Sequence, residues 1–84
     1  MRKTMLSLAE QIHIFDEYSD DCFENMLLEM SERREEIIET ARGRLIDGFS
    51  EYGDEMFTWD DARRDCEWLQ EVADGVNYKV SECF

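Results

Sequence analysis

Eighty-four residues and 10.1 kDa allow one small domain, expected to span residues 1–84, that buries only about 60% of its unfolded surface. Hydrophobic residues at 43% and aromatics at 12% are too many for a chain without a core. With 22 acidic against 9 basic residues, a net charge of -13 and a pI near 4.2, direct binding to nucleic acid or an anionic membrane is disfavoured, because phosphates are repelled.

The first predicted helix runs from about Thr4 to Asp16. Met5, Leu8, Ala9, Ile12 and Phe15 fall at helical spacing, and Thr4 serves as N-cap. Tyr18-Ser19-Asp20 reads as a short connection. The second pattern is the longest: Phe23, Met26, Leu27, Met30, Ile37, Ile38, Ala41, Leu45, Phe49 and Tyr52 hold one stripe. Arg34 interrupts it, either as a partner for a carboxylate or as a stem covering apolar surface beside Glu35 or Glu39. A break is expected near Ser31 or Gly43, if anywhere, and the Gly53-Asp54 pair ends the pattern. The third helix opens at Thr58-Trp59-Asp60-Asp61, with Thr58 as cap and Asp61 at the capping-box position. Trp59, Ala62, Cys66, Leu69, Val72, Ala73, Val76 and Val80 then continue one face. No stretch alternates as a strand does. The predicted fold is all-α, a compact three-helix bundle with a long central helix and an antiparallel hairpin of helices two and three. Three short helices make a thin core, so a homodimer is a further expectation.

Cys22, Cys66 and Cys83 form no CxxC pair, and their odd number fits neither a disulfide framework nor a zinc site. Reduced thiols are expected, with Cys22 and Cys66 partly buried. Met1-Arg2-Lys3 followed by Met5, Leu6 and Leu8 has the outline of a signal peptide. Glu10, His13 and Asp16 interrupt its apolar stretch, which points to a cytoplasmic protein.

Glu35-Glu36-Ile37-Ile38-Glu39 and Glu71-Val72-Ala73-Asp74 form EExxE and ExxD patterns. These resemble the motifs of the MazG-like all-α nucleotide pyrophosphohydrolases, and residues 44 to 80 resemble small MazG-like proteins of bacteriophages. The resemblance implies magnesium held by Glu36, Glu39, Glu71 and Asp74, activating water against a triphosphate. Helical geometry argues otherwise. At about 100° per residue, Glu36 and Glu39 lie roughly 145–155° from the centre of their apolar stripe, and Glu71 lies nearly opposite its own. Side chains so placed point to water.

Acids recur at four-residue steps as Glu32-Glu36, Asp47-Glu51, Asp61-Asp65 and Glu67-Glu71, with Asp54, Glu55, Asp60 and Asp74 beside them. Each like-charge pair costs a few tenths of a kcal/mol, and a net magnitude of about 2–8 suffices for solubility. The excess is either plain solvation or recognition of a basic partner. In size, acidity and helical character the chain resembles phage-encoded DNA-mimic proteins and anti-CRISPR or anti-restriction inhibitors as a class. That resemblance implies a binding protein with no catalytic role and no cofactor, which blocks a basic nucleic-acid-binding protein or complex. Glu32, Glu36, Asp47, Glu51, Asp54, Glu55, Asp61, Asp65, Glu67 and Glu71 are the expected contact residues. Trp68, about 120° from its stripe centre, is either covered by the first helix or an exposed anchor of the same surface. Met26, Met30 and Met56 are either core filler or adaptable contacts. The rival expectations are a magnesium-dependent hydrolase and a homodimeric adaptor joined through Leu28 and Ile46.

Overall fold

The computed structural model describes residues 5–83. Among them are three helices and no strand: α1 (Leu8–Glu32), α2 (Arg34–Tyr52) and α3 (Asp61–Ser81), with a single 3-10 turn (Glu55–Thr58) before the last. The all-α, three-helix architecture is the one expected from the spacing. Its longest member is the first helix, at 25 residues, rather than the central one, at 19.

α1 starts with a complete capping box. The Ser7 hydroxyl accepts from the Glu10 amide at 3.1 Å, and the Glu10 carboxylate accepts from the Ser7 amide at 2.9 Å. Thr4, the expected cap, lies outside the described residues. The expected connection at Tyr18-Ser19-Asp20 is uninterrupted helix. No glycine or proline stands there, and half-buried Ser19 shares a face with Cys22, Met26 and Glu29. That line, and not the Met5–Phe15 stripe, is the contact face of α1. Met5 and Leu8 are 89% and 73% exposed.

The break between the first two helices falls at Arg33, two residues past Ser31. Its backbone leaves helical geometry (φ -105°, ψ 23°), while its amide still donates to the Glu29 carbonyl. Helices of 25 and 19 residues are about 38 and 29 Å long, yet the longest dimension of the chain is 41 Å, so the path turns sharply here. α2 stops at Gly53, whose φ of +56° only glycine adopts without strain and whose amide donates to the Phe49 carbonyl at 2.8 Å.

The Thr58 hydroxyl turns back to the Glu55 carbonyl at 2.6 Å, so Thr58 does not cap α3. Asp60 does, its carboxylate accepting from the Arg63 amide at 2.8 Å. Arg64 braces the turn by donating to the Phe57 carbonyl at 2.9 Å, and the Arg63 guanidinium sits 4.1 Å over the Trp59 ring.

Packing is concentrated between α1 and α3, while α2 touches α1 only slightly. The expected α2/α3 hairpin is therefore not the contact that closes the molecule. The last turns of α3 cross the middle of α1. Val80 lies buried with Cys22 and Met26, and these three are the only buried apolar residues among those described. Gly75 permits the approach: a Cβ there would stand 3.4 Å from the Met26 sulfur. α2 buries none of its residues. The radius of gyration, 16.3 Å, exceeds the roughly 12 Å of a compact chain of this length, so the three helices form an open arrangement rather than a compact one.

Candidate protein-interaction surface

The expected contact residues occupy three regions. Glu32 and Glu36 flank the Arg33 break. Asp47, Glu51, Asp54, Glu55, Asp61 and Asp65 surround the turn from α2 into α3, whose short length keeps them together. Glu67, Trp68 and Glu71 follow along α3. Nearly all of these side chains are exposed, Glu67 being half-buried. Trp68 is 62% exposed, because α1 meets α3 toward its other end and does not cover it.

Arginines neutralise part of this surface. Arg33 grips Glu29 at 2.9 Å and Glu36 at 2.7 Å across the break. The Arg33 guanidinium holds the Glu36 carboxyl below the usual carboxylate range, and the two carboxylates raise Arg33 in turn. Arg64 reaches Asp61 at 3.4 Å, and Arg63 reaches Glu55 at 4.0 Å. Among the described residues, no cationic side chain pairs with Glu32, Asp47, Glu51, Asp54, Asp65, Glu67 or Glu71.

Asp47 and Glu51 stand out. They sit at like-charge spacing in the closing turns of α2, where the helix dipole presents its negative end and the last turn holds no basic residue. Ile46, 57% exposed, and Phe49, 68% exposed, lie on other flanks of the same helix end. Next to the acidic pair, Ala41, Leu45, Gly48, Tyr52 and Met56 line an open groove that also includes Asp47 and Arg44. The surface is thus acidic and apolar at once.

The four carboxylates of the magnesium reading do not assemble. Glu36 is engaged by Arg33, α2 does not pack along α3, and no three potential ligands among the described residues are placed to hold a metal ion. His13 pairs with Glu17 at 3.4 Å on the outside of α1, far along the chain from any cysteine. Cys66 is exposed, not partly buried as expected, since it lies on the part of α3 that α1 does not meet. Cys22 is buried, as expected.

Two features escaped the sequence reading. One is Arg33, rather than Arg34, as the hub of the break; its i-4 and i+3 glutamates are the signal for it. The other is the approach of Cys83 to Cys22, for which a separation of 61 positions leaves no local signal. Among the described residues, no helix is long and apolar enough to cross a membrane. Comparison with protein-family models, curated proteins and solved structures gives no match.

Proposed function

We propose that this chain is an acidic helical inhibitor that occupies the nucleic-acid-binding groove of a basic protein, in the manner of phage DNA mimics. The observation that carries this reading is the Asp47–Glu51 pair at the end of α2. These carboxylates oppose both each other and the helix dipole, and among the described residues no cationic side chain pairs with them. Folding gains nothing from them, so a partner's positive charge is the natural recipient. A four-residue helical step advances about 6 Å, close to two base-pair steps of roughly 3.4 Å along a DNA strand. Asp54, Glu55, Asp61 and Asp65 extend the same charge around the turn, and Tyr52, in the groove that includes Asp47, and Trp68 supply the short-range apolar contacts that nucleic acid does not demand but a protein does. The reading places the protein in the cytoplasm of a phage-infected host, acting without a cofactor.

The test is capture of partners on the tagged full chain, eluted with rising salt and challenged with duplex DNA. A nucleic-acid-binding protein released by moderate salt and displaced by duplex supports the proposal. A partner indifferent to both overturns it. A second reading, self-association, is favoured by one observation: α2 exposes Ile37, Leu45 and Phe49 and buries nothing. It predicts a salt-insensitive dimer in sedimentation equilibrium.

A further inference from the structure

Cys22 and Cys83 are 61 residues apart in sequence, yet their sulfurs lie 3.2 Å from one another, at hydrogen-bond distance. The two differ in access. Cys22 is buried in the α1/α3 contact at 5% exposure, whereas Cys83 is exposed. Cys83 is held there by the backbone: its amide donates to the Val80 carbonyl at 3.0 Å, and its sulfur lies 3.7 Å from the Lys79 carbonyl. A disulfide bond measures about 2.05 Å, so closing the gap takes a shift of about 1 Å. Residues just past the last turn of a helix accommodate such a shift.

We infer that Cys22 and Cys83 form a reversible disulfide, made by exchange with a low-molecular-weight disulfide, which fastens the end of α3 to the middle of α1. The Cys83 thiolate, having released its proton to water, attacks one sulfur of the small disulfide. A mixed disulfide forms, and the first small thiolate leaves and takes up a proton. The Cys22 sulfur, losing its own proton, then attacks the Cys83 sulfur, and the second small thiolate departs and is protonated. Two protein thiols are oxidised to one disulfide, and one small disulfide is reduced to two thiols. The division of labour follows from burial, with exposed Cys83 meeting the oxidant and shielded Cys22 resolving the adduct. The hydrogen bond to Cys83, then burial, then the charges of Cys83, Asp21 and Glu82 push the Cys22 thiol up, which leaves the first attack to Cys83. Cys66, whose sulfur accepts from the Gln70 side chain at 3.3 Å on the exposed part of α3, has no thiol partner among the described residues.

The experiment treats the purified full chain with oxidised glutathione and maps the product by mass spectrometry without reduction. The expected product has lost two hydrogens, carries a Cys22–Cys83 cross-linked peptide, and leaves Cys66 free for alkylation. Its Tm rises by roughly 10 °C or more and falls back on adding a dithiol reductant. Cys66→Ser retains the whole response. Cys83→Ser, at an exposed position, leaves the fold unaltered and abolishes the shift, while Cys22→Ala stops at the glutathione adduct on Cys83. Cross-linking through Cys66, formation of intermolecular dimers alone, or a stable Cys83 adduct in the unsubstituted chain overturns the inference.

Discussion

The Lys79 ammonium meets the Glu29 carboxylate at 2.5 Å, joining the last turn of α3 to α1 across 50 residues of sequence. Glu29 also accepts from Arg33, Arg33 holds Glu36, and Lys79 reaches Glu82 at 3.8 Å. One chain of alternating charges therefore runs from the end of α3, through α1, to the start of α2. It is the polar complement of the small apolar contact formed by Cys22, Met26 and Val80.

This pairing sets a pH window. Lys79 first, then Arg33, holds the Glu29 carboxyl below its ordinary value of 4.5, so the stability it contributes is complete above 4.5 and is lost as pH falls through the depressed value. Glu29 raises Lys79 above 10.5, so that contribution is complete below 10.5 and is lost as pH rises through the raised value. Urea midpoints measured between about pH 3 and pH 7 should climb with pH, and Glu29→Gln should flatten the climb.

Met26 is the largest of the three buried apolar residues. Met26→Ala should cost about 2–3 kcal/mol in chemical denaturation, at the lower end for such truncations because the site is small and open to collapse. Leu28, two positions on and 61% exposed, should change stability by no more than about 0.5 kcal/mol when cut to alanine. Equal losses at the two positions would contradict the placement of the contact line.

Two glycines in or beside α2 should respond oppositely. A Cβ on Gly43 meets nothing within 4 Å, so Gly43→Ala should stabilise by about 0.5–1 kcal/mol through helix propensity. Gly53 holds φ +56° with ψ -128°, and Gly53→Ala should destabilise by about 1 kcal/mol or more. Thermal unfolding of the two variants reads both signs.

Charge reversal at Asp47 and Glu51 should separate folding from binding. Replacing either with lysine removes a like-charge neighbour and places a cation at the helix C-terminus, favouring α2 by about 0.3–1 kcal/mol. The same change should weaken capture of a basic partner and lower the salt at which it elutes. Loss of binding with a raised or unchanged Tm is the expected signature. Loss of both would assign these carboxylates to the fold.

The helix content, the Gly53 stop and the apolar face Val72, Val76 and Val80 were legible because each rests on local spacing or on a residue with one conformational use. The contact face of α1 was not. It runs through Ser19, Cys22, Met26 and Glu29, of which only Cys22 and Met26 are apolar, while the larger aliphatic side chains of Leu8, Ile12 and Leu28 face outward. A reading by hydropathy follows the oilier line, and tertiary contact chose the other. The break, expected near Ser31 or Gly43, falls at Arg33, two residues past the first, although neither glycine nor proline marks the position. The acidic surface was legible residue by residue, whereas its partial neutralisation by Arg33, Arg63 and Arg64 depended on turns that spacing does not fix.

α2 buries no residue of its own and touches α1 only slightly, so little of the tertiary packing that ordinarily stabilises a helix supports it. A partner docking on it would therefore supply folding free energy as well as contacts, and the population of the helix would follow that partner's concentration by mass action. Amide hydrogens of α2 should exchange with solvent well before those around Cys22 and Val80. The slowing of that exchange then becomes a direct gauge of occupancy for any partner, identified or not.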